Sequence, residues 1–370
     1  MGTDLRHTPL TAWHAANGAR MVPFADFSMP VQYAAGIQAE VKIVRERAGL
    51  FDLCHMGRLE LSGPDRIRAA DHVLSQNVAD KVPEGAIRYA LICTPQGTVI
   101  DDVLVYKDPD RIHVVINASG READPAWFQE HIGGFDATLQ DCSDDQTMLA
   151  VQGPLAKDVL PKVCDIDLPA LKYYRFGRAR VCGDIDTIVS RTGYTGEDGF
   201  ELFFALDQAQ RVWDALLAAG AEPCGLGARD VCRTEAGMPL YGHEMNREIT
   251  GLEAGLGFGI DLKKDFIGAD ALRRQREEGV PRALVGLGVD GRRVPREGCE
   301  VLHGGEVVGI VTSGTYSPTL ERPIAMALVR TDLARAGVDF EVALRGKTIE
   351  ARAEGMPFYS RKRKKKAPGT

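Results

Sequence analysis

From about residue 282 the chain changes character: helical periodicity gives way to short β-prone runs punctuated by glycine, as in Glu297 to Thr312, EGCEVLHGGEVVGIVT. A run this short cannot bury an apolar face alone, so several must curl together. The C-terminal region therefore reads as a small all-β domain or barrel. Upstream the pattern is mixed. Ile37, Val41, Val44 and Ala48 fall on one helical stripe that Gly49 is expected to stop. Further helices are expected over 64–75 (opened by Pro64-Asp65), 120–131 and 207–219. The last carries Val212, Trp213, Leu216 and Leu217 on one face and ends at Gly220. Strands are expected over 98–106, 111–117, 179–192 and 199–204. Helices and strands without strict βαβ alternation predict an α+β fold rather than a doubly wound sheet.

Length and charge narrow the function. A chain of 370 residues is long enough for two or three domains. With 45 basic and 52 acidic residues the net charge is −7, which argues against a nucleic-acid binder. No apolar run reaches bilayer length, and the polar start MGTDLRHTPL is not a signal peptide. Met1-Gly2-Thr3 is discounted as a myristoylation start because Arg6 stands where Ser or Thr is required. The eight cysteines contain no C-x-x-C pair and read as thiols in a reducing compartment such as the cytoplasm; no metal cluster is expected. Arg361 to Lys366, RKRKKK, reads as a frayed, solvated tail.

Asp101 and Asp102 lie within TVIDDVLVY, where a strand interior disfavours aspartate. By alternation Asp102 shares a face with Ile100, Leu104 and Tyr106, and Asp101 shares the other with Val99, Val103 and Val105. Two readings stand: a desolvated carboxylate with a raised pKa, suited to proton transfer near neutrality, or a solvated strand end. The following hairpin turn, Lys107-Asp108-Pro109-Asp110, helps to choose between them. If Tyr106 pairs with Arg111, Ile100 faces Asn117, and Asn117 lies diagonal to Asp102 on one face; a one-residue slip would remove this argument. Arg191 to Glu201, RTGYTGEDGFE, is either a Gly-rich surface turn or a ligand wall, with Tyr194 along a planar group and Glu201 accepting two parallel hydrogen bonds. Arg229 and Arg233 are one helical turn apart, as a carboxylate-bearing ligand or an ordinary surface face would have them. Neither GLGARD nor GLGFG fits the dinucleotide fingerprint, and no Ser/His/Asp or Cys/His constellation assembles around His55 or His243.

Taken in order along the chain, several segments resemble one family. They are Pro23-Phe24 with Met29 to Tyr33, Gly49 to Asp52 with His55-Met56-Gly57, Asp101-Asp102, Arg191 to Glu201, and Glu235 to Met238 with Tyr241-Gly242. Asp265 to Gly268, Thr312-Ser313-Gly314 with Ser317-Pro318, and Pro357-Phe358-Tyr359 complete the set. This pattern is similar to the T-protein (aminomethyltransferase) family of the glycine cleavage system. The resemblance implies a three-domain, cloverleaf-like folate-binding fold, divided as 1–50 plus 148–255, 51–147 plus 256–281, and 282–370. It also implies a reaction in which a lipoylated H-protein partner donates an aminomethyl group whose methylene passes to tetrahydrofolate, releasing ammonia. Asp102 then matches the family's catalytic carboxylate and Glu201 the pterin-reading one. Met56, Tyr89, Asn117, Tyr174, Tyr194, Arg233 and Arg361 match folate-pocket positions.

Departures occur at Asp26-Phe27, where the family often has Gly-Trp, and at Cys54, where it often has Ser; both are expected near the pocket mouth. Three competitors share the fold. A folate-dependent demethylase would share the pterin site, but Asp102 favours the aminomethyl reaction. A domain serving a flavin oxidase would need a dinucleotide fingerprint. A scaffold of iron–sulfur maintenance would carry Lys-Gly-Cys where this chain reads Lys263-Lys264-Asp265-Phe266-Ile267-Gly268. The basic tail is a candidate contact for an acidic partner.

Overall fold

The computed structural model describes residues 5–364, so residues 1–4, with the Met1-Gly2-Thr3 start, and the tail from residue 365 lie outside the described residues. The chain divides into two compact units. One holds residues up to Ile92 together with Asp101–Gly193 and Glu197–Arg229; the other holds Cys93–Ile100, Tyr194–Gly196 and the chain from Asp230 onward.

The first unit is built on two sheets. A six-stranded sheet runs in the order Phe176–Val181, Ile185–Ser190, Gly199–Ala205, Gln146–Gln152, Gly49–Asp52, Glu222–Pro223. Only its last pairing is parallel. The expected single strand over 179–192 is a hairpin, because Cys182 and Gly183 turn the chain with φ of 54° and 88°. The helix Ala209–Ala218 lays Val212, Trp213 and Leu216 onto this sheet against Leu149, Val151, Phe200 and Leu202. It ends before Gly220, whose φ of 105° only glycine adopts readily, as expected. Gly49 does something different from what its position suggests. The helix Ile37–Glu46 is already over, and Gly49 opens a strand. A Cβ there would lie 2.8 Å from Val44 Cγ2, so the glycine permits close packing of helix on sheet.

A second, five-stranded sheet runs Ala86–Cys93, Val99–Lys107, Arg111–Ile116, Gly57–Ser62, Thr138–Asp141. The expected helices beside it are Arg66–Val73 and Ala123–Ile132.

In the second unit the six strands between Arg282 and Glu354 close into a barrel, in the order Arg282–Val289, Arg322–Arg330, Glu306–Ser317, Glu300–His303, Asp339–Leu344, Lys347–Glu354. Lys347–Glu354 pairs back onto Arg282–Val289, so no edge is left unpaired. Val285, Leu287, Val301, Val311, Ala327, Val329, Phe340 and Val342 fill the interior. The mixed helix-and-strand body and the closed barrel make the fold α+β, as the sequence predicts. Among the described residues no helix is long and apolar enough to cross a membrane. No disulfide joins any of the eight cysteines.

Trp213 has no exposed surface and sits edge-on to Trp13 at 5.2 Å between ring centroids. Trp213→Ala removes the largest side chain of this core and is expected to destabilise the first unit by about 3–5 kcal/mol. A fall in the urea midpoint at unchanged slope would show this; a change below 1 kcal/mol, on the order of a surface substitution, would mean the indole is not packed as described.

Candidate functional site

The strand Val99–Lys107 carries Asp101 on its fully buried face and Asp102 on the half-buried one. Its hairpin partner pairs Tyr106 with His113 and Leu104 with Val115. The expected pairing of Tyr106 with Arg111 is therefore two residues out. Asp108 N–H donates to the Arg111 carbonyl at 3.0 Å, extending this register by one more rung, so Pro109-Asp110 makes the tight turn. A shift of two preserves the side-chain face. Carried to the strand end, the observed register sets Asn117 directly opposite Asp102 instead of diagonal to it.

Asn117 joins the two carboxyls. Its backbone N–H donates to Asp101 Oδ2 at 2.9 Å. Its Nδ2 donates to Asp101 Oδ1 at 2.8 Å, to Asp102 Oδ1 at 2.9 Å and to the Asp102 carbonyl at 3.1 Å. The Tyr89 hydroxyl also bonds Asp102. Asp101 has 0% exposure, so the reading of a solvated strand end fails. Burial, then the neighbouring Asp101 charge, push the Asp102 carboxyl up to about 7 against the opposing bonds from Tyr89 and Asn117. Burial also raises Asp101. A carboxyl poised near neutrality beside a second one can accept and return a proton at working pH.

Glu201 stands on the strand Gly199–Ala205, opposite Ala150 and Ser190, with 3% exposure. It accepts the Thr192 hydroxyl, which lies 2.7 Å from the Ser190 hydroxyl; Tyr106 in turn donates to Ser190 at 3.3 Å. Burial raises the Glu201 pKa, while Thr192 and the positive charge of Arg229 oppose it. Tyr174 feels the Glu201 charge and is held at a φ of 58°, an uncommon backbone state for a residue with a Cβ. Its backbone is pinned by N–H donation to the Arg191 carbonyl at 3.0 Å. Met56 accepts a weak contact from Arg229 through its sulfur at 3.9 Å. Arg229 thus links Met56 to Glu201, a connection sequence reading missed; helical spacing paired it with Arg233 instead.

The remaining expected residues belong to the second unit. Tyr194 donates its hydroxyl to the Pro239 carbonyl. Arg233, 1% exposed, has four of its five N–H groups engaged. Nε bonds Asp230 at 2.8 Å, Nη1 bonds Glu244 at 2.9 Å and the Met238 carbonyl at 3.4 Å, and Nη2 bonds Ser313 at 2.7 Å. Arg361 opens the helical turn Arg361–Lys364 and is half-buried. Of the departure residues, Asp26 is exposed and the other two are buried. Phe27 is buried beneath the Arg6 and Arg121 guanidinium groups, and Cys54 is buried with its sulfur donating to the Met148 carbonyl at 3.6 Å. Asp124 was also missed. An aspartate next to Pro125 at a helix start reads as helix-dipole compensation, yet its side chain is buried.

Comparison with known proteins places these residues in a wider set. Residues 10–264 match the family model described as the GCVT N-terminal domain, and residues 282–360 match the glycine cleavage T-protein C-terminal barrel domain. The chain is 47% identical over 361 residues to the aminomethyltransferase of Rubrobacter xylanophilus, covering 97% of this chain and 95% of that one. It is 44% identical over 364 residues to that of Geobacillus kaustophilus, covering 96% and 99%. The structure of glycine cleavage system aminomethyltransferase T from Bartonella henselae superposes with a TM-score of 0.90 at 30% identity, over 96% of this chain and 98% of that one.

Because the folded state holds the Asp102 proton more tightly than an unfolded chain, this carboxyl favours folding at acid pH. That contribution is withdrawn as pH rises from about 4 to about 7. Asp102→Asn is therefore expected to be more stable than the native chain above pH 7, by about 1–2 kcal/mol after allowance for partial solvent screening. The advantage should vanish below pH 4. Urea denaturation at both ends of this range checks the sign, and a difference that does not change with pH would contradict a raised Asp102.

Proposed function

The chain belongs to the glycine cleavage T-protein family, and from that premise we propose that it is an aminomethyltransferase whose substrates are tetrahydrofolate and the aminomethyl group carried on the lipoyl arm of an H-protein. The observation that carries this reading is Asp102, a half-buried carboxyl raised to about 7 and steadied by Tyr89 and Asn117.

The residues fit a reduced pterin. Glu201 is a buried carboxylate able to accept an N–H and an NH₂ presented side by side, the arrangement a pterin offers. Thr192 and Arg229 favour its ionised form. Tyr174 supplies a flat wall beside it and Met56 an adaptable apolar one. Tyr194, Arg233 and Arg361 are proposed as further folate contacts on the strength of the sequence resemblance at those positions alone. When bound, tetrahydrofolate would supply the nitrogen nucleophiles, and the two N–H hydrogens it gives up balance those that appear on the freed thiol and on ammonia. Asp102 takes up a proton as the attacking nitrogen gains positive character and returns it to the departing group. Asn117 fixes the direction in which Asp102 faces, and the Asp101 charge keeps Asp102 basic enough for the task. A reducing, cytoplasmic setting suits eight cysteines outside any disulfide.

Turnover of aminomethylated H-protein, followed through ammonia and methylenetetrahydrofolate together, tests the reading. Equal, folate-dependent yields of both are expected. Folate binding without turnover would sink it and point to another one-carbon donor, such as a demethylase substrate. Asp102→Asn should lower turnover by on the order of 10²–10⁴ while folate still binds; a folded variant that no longer binds folate would mean Asp102 is a binding residue. Glu201→Gln should weaken folate binding by roughly 10- to 100-fold, because an amide presents one donor where two are needed as acceptors. Titration followed by protein fluorescence would read this.

A further inference from the structure

Asp124, second residue of the helix Ala123–Ile132, takes no part in the mechanism above, yet it is as deeply buried as anything in the first unit. Both Asp124 and Asp101 have 0% exposure, and the two carboxyls are hydrogen-bonded to each other. Their Oδ2 atoms crowd the same face of Gly120, where a methyl group would lie 2.3 Å from one and 2.8 Å from the other. Carboxylate oxygens only accept hydrogen bonds. Two of them in contact, out of water, must share a proton, because two adjacent negative charges there cannot both persist.

The donors around the pair decide which residue holds that proton. Each Asp101 oxygen already accepts an N–H from Asn117, Oδ2 from the backbone and Oδ1 from the side chain. Direct N–H bonds favour the ionised form of the group that receives them. The start of the helix favours negative charge at Asp124, but that influence is weaker than two direct bonds. We propose that Asp124 is a positioning residue that remains protonated at neutral pH and donates its O–H to Asp101, keeping Asp101 as the anion against which Asn117 and Asp102 are set.

The consequence reaches Asp102 through charge. The titratable groups facing Asp102 are Asp101 and Tyr89, and those facing Asp101 are Asp102 and Asp124. If Asp124 loses its O–H, Asp101 loses a donor and takes up a proton itself. Asp102 then loses its negative neighbour and becomes a weaker base. This catalytic consequence rests on the role proposed for Asp102; the location of the proton does not.

Two measurements on the full chain keep these apart. The first is infrared difference spectroscopy at mildly alkaline pH, comparing the native protein with Asp124→Asn. Loss of one buried protonated-carboxyl band is expected, whether or not the enzyme turns over the proposed substrates, and an unchanged band would overturn the proposal. The second is the pH dependence of kcat/KM. In Asp124→Ala the acidic limb should move to lower pH by about one unit or more, with a fall in kcat on the order of tenfold. Asp124→Asn, whose amide still donates to Asp101, should restore most of both. Equal losses in the two variants with an unmoved acidic limb would mean that Asp124 only supports packing. Should Asp124→Ala fail to fold, the infrared comparison and the Asp124→Asn profile still decide.

Discussion

Two consecutive aspartates in a sheet strand are tolerated only if each desolvated carboxyl finds hydrogen-bond donors, and here Asn117 meets most of that demand. One residue binds both carboxyls with its backbone N–H and its side-chain amide. It can do so because the hairpin register stands it opposite Asp102 at the strand end. The alternation of a strand sends Asp101 into the layer beneath and Asp102 toward the half-open face. Neighbouring residues of the same type thus acquire different surroundings. One is buried among hydrogen-bond donors, and the other carries a carboxyl raised to about 7.

A similar economy operates at Glu201. Its carboxylate is buried, yet Thr192 and Arg229 tip the balance toward ionisation. The ladder Tyr106–Ser190–Thr192–Glu201 crosses from one sheet to the other within the first unit. The strand carrying the Asp pair therefore also helps to orient the second carboxylate. Such a network is rigid because every member has few alternative partners in a desolvated place. In the second unit Arg233 has the same character: Asp230, Glu244 and Ser313 hold its guanidinium in one pose.

Much of this was legible in the residues. The hairpin around Asp108 and Pro109, the polar meeting of Asp102 with Asn117 and the glycine-punctuated barrel all follow from local chemistry. The misreadings have separate causes. Pairing Tyr106 with Arg111 assumed a four-residue loop over 107–110, whereas Lys107 pairs with Ile112 and the Asp108–Arg111 bond leaves only Pro109-Asp110 to turn the chain. Gly49 was taken for a helix stop, but its lack of a side chain matters for the approach of Val44, a contact between elements. The stretch 179–192 read as one strand although Gly183-Asp184 is a local turn signal; there Cys182 and Gly183 take φ of 54° and 88°.

By itself the sequence determined what repeats at short range: the stripe of Val212, Trp213 and Leu216, the alternation that splits Asp101 from Asp102, and the closely spaced strands that must close into a barrel. These depend on the periods of helix and strand, which neighbouring residues already express. Only the tertiary structure decided which carboxyls lose water and which partners they gain. Asp124 meets Asp101 across Gly120, Arg229 meets Met56 across 173 positions of chain, and Tyr89 reaches Asp102 from the adjoining strand. Desolvation and charge proximity are properties of a packed interior, and no window of sequence contains them.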